Sequence, residues 1–172
     1  IKGLIGKEGQ SIKKLLGYPI VGSDINLEKL HKTCNNAFIA IGQIKSPDKR
    51  QLISKLLEDL NFNSPNIISP FSIKSNHTNI GLGNFIGHGV ILNAGSEIKD
   101  YCIINSNALI EHDSIINSHC HISTGVIING GVEIGQGSFI GSGAIIREGI
   151  KIPPKSIISA GSRIMGLPKE IN

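Results

Sequence analysis

Aromatic residues and cysteines are scarce in this chain of 172 residues, which contains no Trp, two Tyr, five Phe and three Cys. Three cysteines (Cys34, Cys102 and Cys120) are an odd number and cannot form the paired framework of a small disulfide-rich domain. Together with the lack of a secretory segment at the start, they predict a reduced, cytoplasmic protein. Few aromatics and a net charge of only +4 give little support for nucleic-acid binding. No window of about 18 residues is free of polar groups, so no membrane span is predicted.

Isoleucine and glycine are abundant instead, with 34 Ile and 21 Gly. β-branched apolar side chains at this density have to be buried, so the chain is expected to fold around a substantial core. The glycines follow no three-residue period, which excludes a collagen-like structure.

The first part of the chain, residues 1–72, has the pattern of a small α/β domain. Residues 37–42 (AFIAIG) form a short apolar run that suits a buried strand. Ser46 is placed to cap a helix that begins at Pro47, and Ile67–Ile68 begins the next strand. Strand, helix and strand in this order predict a βαβ unit, and residues 25–31 predict a further short helix.

From residue 80 onward an apolar residue recurs at every sixth position. Fifteen consecutive positions of this series hold fourteen Ile and one Leu: Ile80, Ile86, Leu92, Ile98, Ile104, Ile110, Ile116, Ile122, Ile128, Ile134, Ile140, Ile146, Ile152, Ile158 and Ile164. A small or β-branched residue comes two positions before nearly every one of them. An unbroken period of this kind predicts a solenoid, over residues 73–172.

Each repeat has room for one short strand and one corner. The small residue and the following Ile point the same way from an extended strand, and the residue between them points outward. Gly or Asn often follows the Ile directly, and we expect these residues to adopt the unusual backbone angles of the corner. Three repeats make one triangular coil, so fifteen repeats predict about five coils, stacked about 4.8 Å apart. Cys102 and Cys120 are then small core residues.

The outward residues include one group with catalytic chemistry, Glu111-His112-Asp113, which fills a predicted corner. A histidine beside a carboxylate can be held in one tautomer and act as a general base. His119 and His121, on either side of the inward Cys120, are expected to point outward. One coil beyond His112 lies Gly130, whose bare backbone N–H could stabilise an oxyanion.

The repeats resemble those of the hexapeptide-repeat acyltransferases, whose fold is a left-handed parallel β-helix. The run INSNALIEHDSIINSHCHISTGVIINGGVEIGQGSFIGSGAIIREGIKI resembles, more narrowly, the family of sialic-acid O-acetyltransferases and UDP-4-amino-sugar N-acetyltransferases of surface-polysaccharide biosynthesis. The resemblance extends to residues 37–42 and the Ser46 helix, which are similar to the end of the family's small Rossmann-like sugar-nucleotide-binding domain. It implies a mainly β fold preceded by a truncated α/β domain, with acetyl-CoA as co-substrate and no metal. It also implies a homotrimer with coenzyme A in the clefts between subunits.

The resemblance also implies roles for individual residues. His112 matches the catalytic base, Asp113 its supporting carboxylate, and Gly130 the amide that receives the thioester oxygen. His121 matches a second histidine near the acetyl group. The pantetheine arm of the cofactor is matched by Ser142, Gly143, Ala160 and Gly161, and the sugar substrate by Asn105 and Gly42. In the implied reaction the sugar amine or hydroxyl attacks acetyl-CoA directly. The family's first strand and Gly-rich turn have no counterpart before Ile1, so we expect the chain to be a piece of a longer protein.

Three other functions remain open from the sequence. A trimeric solenoid can be a scaffold without activity. The histidines His112, His119 and His121 also suggest the zinc site of a γ-class carbonic anhydrase. Finally, residues 5–15 (IGKEGQSIKKL) fit the GxxG loop of a KH domain, which lies between helices and binds single-stranded RNA.

Overall fold

Very short strands dominate residues 1–166, the part of the chain that the computed structural model describes. Three strands and the helices come first: β1 (Leu4–Ile5), β2 (Lys14–Leu15), β3 (Tyr18–Gly22), a 3₁₀ helix (Asp24–Asn26), α1 (Leu27–His31) and α2 (Asp48–Asp59). Seventeen two-residue strands follow, β4 to β20, and each pairs in parallel with the strand 18 residues away. They form a parallel β-helix with three flat faces, which confirms the solenoid.

The three faces are defined by their strands. Face 1 contains β4 (Ile67–Ile68), β7 (Phe85–Ile86), β10 (Ile103–Ile104), β13 (His121–Ile122), β16 (Phe139–Ile140) and β19 (Ile157–Ile158). Face 2 contains β5 (Ile73–Lys74), β8 (Ile91–Leu92), β11 (Leu109–Ile110), β14 (Ile127–Ile128), β17 (Ile145–Ile146) and β20 (Arg163–Ile164). Face 3 contains β6 (Asn79–Ile80), β9 (Glu97–Ile98), β12 (Ile115–Ile116), β15 (Glu133–Ile134) and β18 (Lys151–Ile152). The first corner joins faces 1 and 2, the second corner joins faces 2 and 3, and the third corner joins faces 3 and 1.

The interior is a stack of isoleucines, as the period predicts. The lattice residues from Ile86 to Ile146 are at most 1% exposed, and only those at the two ends of the prism are partly exposed. Each buried Ile contributes about 2 kcal/mol before the loss of conformational entropy is subtracted. Cys102 and Cys120 are also core residues. Strand pairing starts at Ile67–Ile68, before residue 73, so the described solenoid is longer than the predicted five coils.

The corner geometry differs from the expectation. The residue with positive φ is the third corner residue, such as Tyr101, Asp113 or His119, and not the Gly or Asn that directly follows the Ile. Where glycine occupies the first corner position, it is needed for space instead. A Cβ on Gly141, for example, would lie 2.5 Å from the backbone nitrogen of Ala160 in the next coil.

The N-terminal part does not form the predicted βαβ unit. Residues 37–42 form no strand, and Ile67–Ile68 pairs with the β-helix instead. The small sheet has the order β1-β3-β2, with β1 parallel and β2 antiparallel to β3. Both predicted helices are present, although α2 begins at Asp48, one residue later than predicted. The Ser46 hydroxyl accepts the N–H of Asp48 at 3.1 Å where α2 begins, and α1 lies within residues 25–31.

The GxxG motif of residues 6–9 lies between strands β1 and β2. A KH loop connects two helices. The KH interpretation is therefore wrong for this chain.

The N-terminal part packs against the third corner through a buried arginine. Arg50 on α2 is 2% exposed, and its guanidinium donates to the carbonyls of Ile39 (3.1 Å), Ile41 (2.7 Å) and Tyr101 (2.9 Å). Tyr101 belongs to the third corner and shares a second apolar cluster with Leu27, Ile39 and Leu57. Arg50 thus joins the segment that precedes α2 to the β-helix.

The outer surfaces of faces 2 and 3 differ in polarity. The outward residues of face 2 are apolar in five successive coils: Ile73, Ile91, Leu109, Ile127 and Ile145. Those of face 3 are Asn79, Glu97, Ile115, Glu133 and Lys151, with an ion pair between Lys151 and Glu133 at 3.0 Å. The outer surface of face 3 is polar enough to be exposed to solvent, whereas face 2 presents a continuous apolar stripe.

Candidate active site

The second corner holds a histidine and a carboxylate in hydrogen-bonding contact. His112 Nδ1 lies 2.8 Å from Oδ2 of Asp113, and both side chains are exposed. A carboxylate can only accept, so Nδ1 carries the proton and Nε2 keeps its lone pair. The hydrogen bond to Asp113 raises the pKa of His112 above its ordinary value. The pair has the geometry of an oriented general base.

Glycines in the neighbouring coils make room for both side chains. A Cβ on Gly130 would lie 2.6 Å from Nε2 of His112, so the imidazole rests directly against this glycine. The Asp113 carboxylate lies over Gly95 in the coil on the other side, where a Cβ would clash with Oδ1. The 18-residue period therefore places Gly130 beside His112, as expected.

The Gly130 N–H is available to a ligand. The amides on either side of it are used, because Asn129 donates to Ile146 and Gly131 donates to the carbonyl of His112 at 2.9 Å. The Gly130 N–H has no acceptor among residues 1–166. A free main-chain donor on the glycine that the imidazole contacts can stabilise negative charge that develops on a reacting carbonyl oxygen.

An open groove of about 550 Å³ runs from His112 along the second corner. Its floor is glycine (Gly130, Gly131 and Gly149), and Glu111 and Glu148 contribute carboxylates. Glu111 is held by Asn93, whose Nδ2 donates to Oε2 at 2.8 Å. Sequence reasoning did not single out Glu148, although its position 36 residues beyond His112, two coils along the same corner, could have identified it.

The residues matched to the pantetheine arm lie on a different corner. Ser142 and Gly143 follow β16, and Ala160 and Gly161 follow β19, so all four stack along the first corner. The Ser142 hydroxyl is 2.8 Å from the hydroxyl of Ser123 in the preceding coil. Asn105, which was matched to the substrate, belongs to the same corner because it follows β10. Within one chain, none of these residues is on the corner that carries His112.

His121 is on face 1. The sequence predicts that it is exposed to solvent, but in the structure it is buried. It is 8% exposed, and His119 on the third corner is 9% exposed, because the N-terminal part covers both. The His121 Nδ1–H donates to the main-chain carbonyl of Gln43 at 2.5 Å, which leaves Nε2 as an acceptor with no partner in residues 1–166. His119 stacks on Tyr101 at 5.3 Å. Burial lowers the pKa of both histidines, so both are neutral at pH 7.

Gln43 is a site residue that sequence reasoning missed. It is 4% exposed, and its side-chain amide donates to the carbonyls of His119 at 2.7 Å and Gly137 at 3.4 Å. Gly42, matched to the substrate, precedes it in the same irregular segment and is exposed. No local pattern identifies Gln43, because its partners are 76 and 94 residues away.

The three histidines of the proposed zinc site do not form one cluster within the chain. His112 is on the second corner, His119 on the third corner and His121 on face 1. No group of three or more His, Cys, Asp or Glu side chains in residues 1–166 is placed to hold a metal ion. In the same residues, no helix is both long and apolar enough to span a membrane.

Several solved structures are similar to this chain. A variant of perosamine N-acetyltransferase from Caulobacter crescentus, in complex with CoA and GDP-perosamine, is 32% identical, over 90% of this chain and 72% of that chain, with a TM-score of 0.85. The acetyltransferase domain of PglB from Neisseria gonorrhoeae, in complex with acetyl coenzyme A, is 26% identical over 94% of this chain and 80% of that chain, with a TM-score of 0.84. WeeI from Acinetobacter baumannii, at 22% identity and a TM-score of 0.72, covers 93% of this chain and 81% of its own, and shares the fold. No protein-family model and no curated protein sequence matches the chain.

Proposed function

The chain belongs to the hexapeptide-repeat acetyltransferases that act on sugars, and on this basis we propose that it transfers the acetyl group of acetyl-CoA to the amino group of a nucleotide-linked sugar. The left-handed parallel β-helix is the fold of this family. The observation that carries the proposal is the second corner, where an oriented His112 lies against the bare backbone of Gly130. An amine is preferred to a hydroxyl because perosamine N-acetyltransferase, the neighbour whose two variant structures contain CoA and GDP-perosamine, acetylates an amine.

The reaction proceeds by direct attack in this proposal. The sugar amine attacks the thioester carbon while His112 Nε2 accepts a proton from the nitrogen, and Asp113 stabilises the imidazolium that forms. The Gly130 N–H donates to the oxygen that becomes negatively charged. When the C–S bond breaks, the thiolate takes the proton from His112 and leaves as the free thiol. No covalent enzyme intermediate is needed.

We propose that the site is complete only in a homotrimer. His112 and the groove are on the second corner, whereas His121 and the residues matched to the cofactor are on face 1 and the first corner. These two surfaces flank face 2, whose outward residues are the apolar stripe. If the face 2 surfaces of three chains pack around a common axis, the second corner of one chain lies next to the first corner of its neighbour. The cofactor then lies between two chains, with Ser142, Gly143, Ala160 and Gly161 beside the pantetheine arm and Asn105 and Gly42 on the sugar side.

The cytoplasm is the proposed location. Support comes from the three free cysteines, of which Cys102 and Cys120 are core residues, and from the co-substrate.

Acetyl-CoA turnover against a panel of acceptors tests the proposal. We expect thiol release with at least one nucleotide-linked amino sugar, and less release with the matching hydroxy sugar or with sialic acid. Acetyl-CoA at about 100 times its Kd should also raise the free energy of unfolding by about 2.7 kcal/mol, which a thermal-shift titration detects. A scaffold without activity would show neither thiol release nor a thermal shift, and that pair of results would reject the proposal.

A further inference from the structure

The outward row of face 2 ends in an arginine. Beyond the apolar stripe, whose last residue is Ile145, the next outward residue is Arg163 in β20, which pairs directly with Ile145. The strand pairs along face 2 show no shift of register from Ile73 to Arg163, so the arginine continues the row in line. β20 is the last strand in residues 1–166, and Arg163 therefore lies at the C-terminal end of the described prism.

The charge of Arg163 is not neutralised within the described part of the chain. Arg163 is exposed and forms no ion pair with any of residues 1–166. In the same residues, neither face 2 nor the first corner contains an Asp or a Glu. Glu148, on the second corner, lies 3.8 Å from the Nε of Arg147 instead. A positive charge thus stands alone at the end of an apolar row.

The proposed homotrimer brings three copies of this charge together. When the face 2 surfaces of three chains pack around a common axis, the outward row of each chain is the part closest to that axis. Ile145 of the three chains then forms one apolar layer, and Arg163 forms the next and last one. Three guanidinium groups in one layer repel one another, and the apolar layer beneath them strengthens the repulsion because it excludes water.

An oxyanion fits the centre of such a layer both by charge and by symmetry. Guanidinium groups are planar, always charged and form strong paired hydrogen bonds to oxyanions. A tetrahedral ion such as phosphate or sulfate can lie on a threefold axis, with one oxygen facing each of the three chains and the fourth directed along the axis to solvent. A carboxylate has only two oxygens and cannot satisfy three equivalent arginines.

We propose that the three Arg163 side chains of the homotrimer, one from each subunit, bind a phosphate or sulfate ion on the threefold axis, and that this ion stabilises the assembly. The site rests on the proposed homotrimer, because one chain supplies only one of the three arginines. It does not depend on acetyl transfer. His112 is on the second corner and about three coils away, which is roughly 14 Å along the prism.

The stoichiometry of binding tests the site directly. Calorimetric titration of the unmodified chain with inorganic phosphate or sulfate, at constant ionic strength in chloride, should give one ion for every three chains. A site within a single chain, including the groove at His112, would give one ion per chain. Acetate, as the control anion, should not bind on the axis.

Substitutions identify the group that binds the ion. Arg163→Met should abolish binding, and it should fold normally because Arg163 is exposed. Arg163→Lys keeps the charge but loses the planar pair of donors, so we expect about tenfold weaker binding. Lys155→Met is the control for net charge, because Lys155 is exposed on the third corner and forms no ion pair within the described residues. It should bind the ion normally.

The oligomeric state provides a second measurement. In analytical ultracentrifugation of dilute protein, phosphate or sulfate should increase the fraction of trimer relative to chloride of the same ionic strength. The fraction should not respond in Arg163→Met. In chloride alone, this variant should form at least as much trimer as the unmodified chain, because the repulsion among three guanidinium groups is absent.

The possible failures are distinguishable. One ion per chain, unchanged binding in Arg163→Met, or an equal loss in Lys155→Met would overturn the site on the axis. A chain that remains monomeric in phosphate would overturn both this site and the proposed homotrimer. One ion per three chains in a trimer that releases no thiol from acetyl-CoA would support the site and reject only the proposed acetyl transfer.

Discussion

His112 and His121 are nine residues apart in the sequence, which is half of an 18-residue coil, and they therefore lie on opposite sides of the same prism. His112 is on the corner between faces 2 and 3, and His121 is in the middle of face 1. A substrate cannot contact both within one chain. If both act in catalysis, they have to come from two neighbouring chains.

Mixing two inactive variants tests this arrangement. His112→Ala and His121→Ala should each lose most activity as pure proteins. Co-expressed in equal amounts they should regain about a quarter of the unmodified activity, because random assembly gives one site in four with both histidines intact. The measurement is acetyl-CoA turnover per chain. No recovery in mixed trimers, with the mixing verified by mass spectrometry, would mean that His112 and His121 do not act together across the interface.

Removing the base should abolish turnover without loss of structure. We expect His112→Ala to lower kcat by about 10² to 10⁴, the range of general-base contributions, with normal assembly and thermal unfolding. A variant that retains full activity would exclude His112 as the base.

The pH profile reports on Asp113. The base acts when deprotonated, so kcat should rise with pH through the pKa of His112, which the hydrogen bond to Asp113 holds above its ordinary value. Asp113→Asn removes that effect, so the acidic limb should shift to lower pH. The plateau should also fall, by about tenfold, because the imidazole is no longer oriented. An acidic limb that does not move would mean that another group titrates.

The apolar stripe of face 2 should control assembly. Leu109→Lys places a charge between Ile91 and Ile127, and we expect the proposed trimer to dissociate, since each chain loses roughly 1.5–3 kcal/mol of apolar burial and has to desolvate an ammonium. Ile115→Lys is the matched control on face 3, where the neighbours are Glu97 and Glu133. Light scattering should show monomers for the first variant and trimers for the second. Trimers for both would mean that another surface forms the interface.

Arg50 should contribute strongly to stability. Arg50→Met leaves three carbonyls without their donor, two in residues 37–42 and one on the third corner. We expect the free energy of unfolding in urea to fall by about 2–4 kcal/mol. Lys55→Met on the exposed side of α2 removes only a surface ion pair with Asp59, so it should leave the free energy of unfolding nearly unchanged.

The core thiols should be unreactive in the folded protein. Burial raises the pKa of the Cys120 thiol to about 12 and that of Cys102 well above its usual value, whereas Cys34 is half-buried. Ellman's reagent should therefore label one thiol per native chain, and all three after denaturation. Rapid labelling of a second thiol would indicate that the coils open around residues 102 to 120.

Sequence reasoning was most accurate for the β-helix and least accurate for the first part of the chain. Ile110 and Cys120 are buried where the period placed them, because each depends only on the residues 6 and 18 positions away. The strand expected at residues 37–42 is absent, and the carbonyls of Ile39 and Ile41 accept hydrogen bonds from the Arg50 guanidinium. An apolar run that ends in glycine is compatible both with a buried strand and with an irregular segment.

For the candidate site, the period correctly placed Gly130 beside His112, but it gave no information about what covers His121. Its outward direction from the coil followed from the repeat, whereas the carbonyl of Gln43 that covers it is 78 residues away in the sequence. Contacts at such separation depend on how two packed units meet, and no local pattern reports that.

The sequence by itself determined the solenoid, its inward lattice and the exposed corner at His112, because a strictly repeating coil makes every inward and outward position a matter of counting. Only the tertiary structure decided which outward residues are covered, and that His112 and His121 face away from each other. These features depend on the closure of three faces into a prism and on the packing of the N-terminal part against its third corner. Both are set by contacts between residues far apart in the chain.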